Sequence, residues 1–441
     1  MNSKKVLTIG FDDTDSPKGM CTTFLAYKIV NELKKEGSEF LDFPKLVRFN
    51  PNIPWKTRGN GAVSLRIRTK NPSKIKNKIK NLVVKYSDIK NGANPGLVFF
   101  EKESIPPEFI EFSKLALWRL INRNNAKKFA TKNNLEFFYR GNGQGLVGAI
   151  GAIGYSFDDH TLELISYRKT SKFGKERKIS SQNVKYMQEK TSPYTFNNFD
   201  TTKGRVLITP HGPDPVFYGI RGENVNSLLL AKKILKHAEK LDGYMIFKSN
   251  QGTGDHLTNE LDIHDIKPYV SGKITGIVLD KPKISKGGHV FFSLSSTSSK
   301  IMCAVYKPTG ITHIAQNLVI GDKVCIGGGI RKATKRYPRT LNAEFIEIIS
   351  LKKILQQTNP TCHKCNKKMK SKGQNQGYQC IKCKSRSSKR EILEFQRKIK
   401  KQLYIPKISA HRHLTRPEQR LGIVNSCKFD ESYPWFCIYR N

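Results

Sequence analysis

The chain has 441 residues, with 78 Lys and Arg against 36 Asp and Glu and a formal net charge of +42. An excess of that size calls for a polyanionic partner, and nucleic acid is the expected one; the basic residues are spread through folded-looking segments and not gathered on one amphipathic helix, which argues against a membrane surface. With 37% hydrophobic and 10% aromatic residues the chain is not disordered. No 18-residue apolar run and no signal-peptide core occurs, so neither a membrane span nor export is expected and the compartment is the cytoplasm.

Length alone allows roughly three domains. Residues 5–11 read as a buried strand running into Asp12-Asp13-Thr14-Asp15, and residues 20–36 as a helix carrying Phe24, Leu25, Tyr27, Ile29, Val30 and Leu33, stopped by Gly37. An alternating strand follows at 62–68, a very basic helix at 74–85, a strand at 97–100 and one or two helices over 110–135. The Gly-rich stretch 141–154 comes next, then strands at 161–167, 206–209 and 244–247 with a helix over 226–241 between the last two. Alternating strands and helices across 1–260 indicate an α/β or α+β region. From about 268 the character changes to short strands at 270–279, 289–295, 300–306, 323–330 and 343–349, the spacing of a small OB-type barrel. Residues 387–441 read as a basic tail opening with a helix over 391–403.

The segment that points to chemistry is the first. A strand ending in Asp12, Asp13 and Asp15, followed by Ser16, Lys18, Gly19, Thr22 and Thr23, offers carboxylates for magnesium and hydroxyls, a cation and a helix N-terminus for phosphates. The plain alternative is a solvated Asp-rich turn capping the helix. No Walker A sequence is present, nor a Ser-Gly-Gly-x-Asp-Ser loop of the PP-loop type. Gly143-x-Gly145-x-x-Gly148 matches a dinucleotide fingerprint only by letter, lacking a clear acid about 20 residues downstream in a βαβ context; its glycines suit close approach of a helix to a ligand or to another backbone. Asn250-Gln251-Gly252-Thr253-Gly254-Asp255-His256 and His211-Gly212-Pro213-Asp214-Pro215 follow strands, where an α/β sheet places sites or simply turns.

Cys362, Cys365, Cys380 and Cys383 form two Cys-x2-Cys knuckles, the ligand set of a closed, structural zinc site. Ten Lys or Arg surround them, and Tyr378 is placed to stack on a base. Lys273, Lys281, Lys283, Lys286, Lys300, Arg331, Lys332, Lys335 and Arg336 decorate the barrel region, with Phe291, Phe292 and Tyr306 among them. In the tail, His413, Arg416 and Arg420 are candidates to grip phosphates, against the reading of a flexible solvated tail.

These stretches together resemble one family, the archaeal tRNA(Ile) 2-agmatinylcytidine synthetases. The likeness rests on residues 9–16 with Gly19-Met20-Cys21-Thr22-Thr23, on Arg140-Gly141-Asn142-Gly143 through Gly154, on Tyr218-Gly219-Ile220-Arg221-Gly222-Glu223, on Asn250-Gln251-Gly252-Thr253, and on the order of barrel and zinc ribbon. Phe11 and Gly254 depart from the family's pattern without touching the acidic loop. The resemblance implies a multidomain α+β chain: a kinase-like ATP domain (1–110), a ferredoxin-like, agmatine-binding region (111–205) with an α/β segment completing the catalytic half (206–262), an OB-fold (263–355), a zinc ribbon (356–390) and the tail (391–441). It also implies the reaction. ATP phosphorylates the wobble cytidine's carbonyl oxygen at ring position two in the isoleucine tRNA with a CAU anticodon, and agmatine displaces the phosphate, ATP ending as AMP and phosphate. Asp12, Asp13, Asp15 and Thr22 would be catalytic, Thr22 matching an autophosphorylated threonine. Asp12 and Asp13 would hold magnesium, and Thr14, Ser16, Lys18, Gly19 and Thr23 would bind ATP. Arg140, Gly141, Asn142, Gly143, Asn250 and Gln251 would bind substrate. Two other readings stay open: an ATP-dependent RNA-modifying enzyme using another amine or none, and a non-catalytic RNA-binding protein.

Overall fold

The structure, a computed structural model, describes residues 4–264, 266–296, 299–335 and 337–439; Arg336 lies outside them. Among the described residues eleven strands share one mixed sheet, and no helix is long and apolar enough to cross a membrane.

The sheet is two halves joined edge to edge. In the first, Lys5–Asp12 lies between Gly61–Thr69 and Gly96–Phe100, with Glu136–Tyr139 and Lys45–Arg48 at the outside. Strand period places Leu7, Ile9, Phe11, Leu97 and Phe99 on one face, against the helices Thr22–Lys35 and Pro72–Tyr86. Val98 and Phe100 point to the other face, beneath Pro107–Trp118, Arg123–Lys132 and Gly145–Gly154. The Gly-rich helix sits unusually close: a Cβ on Gly10 would stand 2.1 Å from the Ala149 carbonyl oxygen. The second half pairs Thr161–Arg168 with Val216–Gly222 and Leu241–Ser249. The halves meet where Lys248 and Ser249 pair in parallel with Lys45 and Leu46.

The barrel expected downstream is present. Ser271–Val278, Val290–Ser296, Ser299–Val305, Lys323–Arg331 and Thr340–Ser350 close on themselves through Ile277 opposite Ser295. Ile274, Phe292, Leu294, Val324, Ile326 and Ile346 fill it. A separate small core of Cys362, Met369, Tyr378 and Cys380 forms the zinc-ribbon unit. Tyr378 is therefore interior, its hydroxyl accepting from Arg390 Nε at 2.8 Å, and is not a free stacking surface.

Three expectations are corrected. The helix expected over 391–403 does not form; Glu391–Glu394 is a strand paired with Leu355–Thr358, since cross-strand partners outweigh a helical pattern of mixed quality. The helix expected over 226–241 is Val225–Ile234, N-capped by Asn224, whose side chain accepts from the Ser227 amide, and the chain then turns into the strand Leu241–Ser249. Nor is the tail a flexible appendage. Leu403–Tyr404 joins the barrel, residues 413 and 414 bond the Gly252 and Gly254 amides, and Phe436–Ile438 joins the large sheet beside the buried Trp435.

Arg420 anchors this strap and is no phosphate ligand. Its guanidinium is buried, donating to Glu223 at 2.5 Å, to Asp159 at 3.0 Å and to the Gly252 carbonyl at 2.8 Å. Arg420→Ala leaves Glu223 without its cation and Asp159 with Arg416 alone, 2.7 Å away, so unfolding is expected to become easier by about 3–5 kcal/mol. Urea denaturation measures this, and a change within error would mean that the strap does not hold through this contact.

Candidate active site

The seam between the halves opens into a cleft of about 610 Å³. One wall is the acidic loop. Asp12 ends its strand under the helix Gly145–Gly154, so close that a Cβ on Gly148 would lie 1.9 Å from Asp12 Oδ2. Asp13 takes a left-handed backbone (φ 56°). Asp15 accepts from Arg58 Nη1 at 2.8 Å, and the same guanidinium donates to the backbone carbonyls of Met20 and Ser16. Burial and crowding raise all three carboxyls: Asp12 well above its usual range, by burial and then by Asp13; Asp13 to about 6, by burial and then by Asp15; Asp15 to about 6, by burial, with Arg58 opposing. Asp15 already has its cation in Arg58, and among the described residues only the four ribbon cysteines bring three or more such ligand atoms within 4.8 Å of one another.

Thr14 donates its hydroxyl to Thr22 Oγ1 at 3.0 Å, and Ser16 donates to Asp88 at 2.5 Å. Neither caps the helix Thr22–Lys35, whose N-cap position is Cys21 with no side-chain cap bond, so its first turn faces the cleft with no acidic residue of its own. Thr22 and Thr23 line the cleft; Lys18 and Gly19 lie at the turn of the loop, with Lys18 exposed. Burial raises the Cys21 thiol, which fits a packing residue better than a nucleophile.

The opposite wall is basic. Arg48 is largely buried, its Nε without a hydrogen-bond partner and its Nη2 4.0 Å from Glu163. Arg221 Nε stands 3.6 Å from Glu163, which also accepts from Gln251. His413, from the strap, places Nδ1 2.8 Å from Gln251 Oε1 and 3.1 Å from Arg221 Nη2. Burial first, then Arg48 and Arg221, hold His413 neutral. Asp214 also lines the cleft, buried, its Oδ1 accepting from Arg177 Nη2 at 3.3 Å and from the Val216 amide at 3.0 Å and its Oδ2 unpartnered.

The sequence-derived candidates divide in space. Asp12, Asp13, Asp15, Thr22 and Thr23 gather in the cleft. Arg140, Gly141, Asn142 and Gly143 do not line it. They border the acidic loop through Asn94, which accepts from the Asn142 amide and hydrogen-bonds to Asp13, while Arg140 stacks over Phe138 at 4.6 Å. Asn250 engages both ends of its amide on the Arg48 backbone, so it holds the seam; it is fully buried and does not line the cleft. Gln251 lies behind the cleft, in the Glu163–His413 network. Arg48, Trp55, Arg58 and Glu163 were not singled out from the sequence. Their only signal was charge or an aromatic inside otherwise ordinary strands and loops.

Gly148→Ala is expected to push the Asp12 carboxylate aside and slow any ATP turnover by on the order of a hundredfold, since a misplacement of about 1 Å has that effect. Phosphate release alongside a far-UV circular dichroism spectrum tests it; normal turnover would show that chemistry occurs elsewhere.

The four cysteine sulfurs lie within 4.8 Å of one another, a spacing that suits tetrahedral thiolate zinc.

Three family models match this chain: the TiaS TCKD domain over residues 8–142, the TiaS FLD domain over 143–256 and the TiaS C-terminal zinc ribbon domain over 359–399. The isoleucine-tRNA 2-agmatinylcytidine synthetase TiaS of Cenarchaeum symbiosum is 46% identical over 98% of this chain and 97% of its own. The crystal structure of apo TiaS superposes with a TM-score of 0.86 at 32% identity, covering 96% of this chain and all of that one. That of a TiaS complex with its isoleucine tRNA, AMPCPP and agmatine gives 0.80 at 30% identity, covering 97% of this chain and all of that one.

Proposed function

This chain belongs to the TiaS family, and from that premise we propose that it is an isoleucine-tRNA 2-agmatinylcytidine synthetase. It uses ATP to replace the oxygen at position two of the wobble cytidine with agmatine. The observation that carries the reading is the cleft itself, with three crowded carboxylates on one wall and Arg48, Arg221 and Lys56 on the other. In this reading the half built on Lys5–Asp12 is the kinase-like domain and the half built on Leu241–Ser249 the ferredoxin-like one, working in the cytoplasm.

A cytosine carbonyl is a poor electrophile and oxide a poor leaving group. Transfer of the γ-phosphoryl to that oxygen breaks the bond to the β-phosphate, turns the oxygen into a phosphate ester and leaves ADP; passage of the β-phosphoryl to the Thr22 hydroxyl would then break the bond to the α-phosphate and leave AMP, and water would release that phosphate from Thr22. The amine of agmatine then bonds to the ring carbon, loses a proton, and phosphate departs with the oxygen. Asp12 and Asp13 would hold magnesium, which when bound would neutralise triphosphate charge; Asp15 orients Arg58. Thr22 stands as the phosphate-accepting hydroxyl. Thr14, Ser16, Lys18, Gly19 and Thr23 shape the phosphate-binding turn at the helix N-terminus. Asp214, buried with an unpartnered oxygen, is the acceptor placed for agmatine's guanidinium. Gln251 steadies the wall behind it. The Arg140–Gly143 loop, beside but outside the cleft, serves the RNA backbone. Zinc on Cys362, Cys365, Cys380 and Cys383 holds the ribbon.

The test mixes full-length protein, ATP, magnesium, agmatine and the AUA-class isoleucine tRNA transcript, and weighs the wobble nucleoside after digestion. A gain of agmatine less water supports the reading. ATP turnover without that gain would favour another amine or RNA, and neither would leave an RNA-binding protein.

A further inference from the structure

The protein has three tryptophans. Trp435 is buried and Trp118 half-buried, whereas Trp55 is 53% exposed at the rim of the cleft. Among the described residues no ring or cation packs against the Trp55 indole and no hydrogen bond engages it. A bare indole at the mouth of this cleft has no part in the core and is free to meet a ligand that enters it.

The loop that carries it is held at both ends. At its base, the Asn60 side chain donates to the Asn50 carbonyl at 2.9 Å. On the barrel side, Asn52 Nδ2 donates to Ser271 Oγ at 2.7 Å, and Ser271 donates onward to Asn50 Oδ1 at 2.8 Å. On the acidic side Arg58 is tied to Asp15 and Met20. Trp55 thus stands on a bridge between barrel and acidic loop, next to Lys56 in the chain; Arg119, its guanidinium over the Trp118 ring at 4.1 Å, lines the same cleft. A flat, preorganised aromatic flanked by cations is the arrangement that receives an unstacked nucleobase while its neighbouring phosphates are neutralised. The reaction supplies the need, because a base inside the anticodon stack cannot present its ring oxygen to a triphosphate until it is extruded.

We propose that Trp55 is the stacking platform for the extruded wobble cytidine, the indole covering one face of the ring and leaving its oxygen-bearing edge toward Asp12. This rests on the function proposed above. Because stacking is indifferent to the exocyclic groups, Trp55 governs capture of the base and not its identity.

The test uses zinc-loaded full-length protein, AMPCPP, and the full tRNA transcript carrying pyrrolocytidine at the wobble position, whose emission falls on stacking. Wild-type protein is expected to quench it, Trp55→Phe to quench it in part, and Trp55→Ala not at all. With unlabelled tRNA, Trp55→Ala is expected to lower kcat/KM for modification by about 10- to 100-fold, with ATP affinity and melting temperature unchanged and with partial rescue in Trp55→Phe. Equal quenching by wild type and Trp55→Ala, or equal kcat/KM, would overturn the assignment. So would a Trp55-dependent signal found only with a 2-aminopurine probe at the neighbouring anticodon position. Failure of the wild-type protein to modify tRNA at all would count instead against the synthetase reading.

Discussion

Asp12→Asn should abolish the modification while leaving a better-folded protein. In the function proposed above the carboxylate would hold a metal that screens the triphosphate, an effect of several kcal/mol at the transition state, so turnover is expected to fall by on the order of a thousandfold. Stability should move the other way. Asp13 and Asp15 titrate near 6 in the folded chain against 3.8 in the unfolded one, and Asp12 is raised as well. Between those values the folded state holds more protons, so the stability these groups contribute is fully present below pH 4 and is lost as pH rises through about 6. At pH 7.5 Asp13→Asn removes one strained charge and should stabilise the metal-free protein by about 1–3 kcal/mol. Magnesium should raise the melting temperature of the wild type and much less that of either variant, and activity should fall as pH drops below about 6. Thermal melts with and without magnesium, next to the nucleoside assay, decide the matter; a variant that is both less stable and fully active would refute this account of the loop.

Cys380→Ser, or removal of zinc by a chelator, should separate RNA binding from nucleotide chemistry. Four thiolates around zinc supply about 10–16 kcal/mol of apparent binding energy in small zinc domains. Here the knuckles have little else beneath them, only Met369 and Tyr378. Loss of the ion should therefore unfold the ribbon alone, because its core is separate and the strands flanking it, Leu355–Thr358 and Glu391–Glu394, pair with each other and not with a barrel strand. Ten Lys and Arg lie between 362 and 390. Disordering them should weaken tRNA binding by at least about tenfold at physiological salt and flatten its salt dependence by several units of slope. ATP affinity should not change. Filter binding over a salt series, with nucleotide binding measured in parallel, tests both halves; unchanged tRNA affinity would assign the ribbon a purely structural role.

Much of this architecture is legible in the sequence because it is written in local periods. The strand before Asp12, the helix after Cys21 and the five barrel strands each carry their own alternation or stripe, and the Cys-x2-Cys pairs announce themselves by spacing. The basic wall is not written that way. Arg48 and Glu163 belong to different halves and meet only because Lys45–Arg48 and Leu241–Ser249 are neighbours in the sheet. His413 reaches Gln251 from 162 residues away, a contact that no window on the chain contains. Asn250 looked like a ligand because polar residues after a strand often are, yet a polar side chain can equally satisfy a neighbouring backbone. The tail misled for the opposite reason: Lys-rich composition suggests solvent, while Arg420 lies buried between two carboxylates.

The strap also sets a timetable. Ribosomes release chain at about 5–20 residues per second, so the 189 residues between Ser249 and Ile438 take about 10–40 s to follow. Until they do, the strand Leu241–Ser249 lacks its Phe436–Ile438 neighbour and the basic wall lacks His413. A nascent chain with its acidic loop already formed thus still has an open pocket. The cleft is completed last, after the barrel and ribbon have been made.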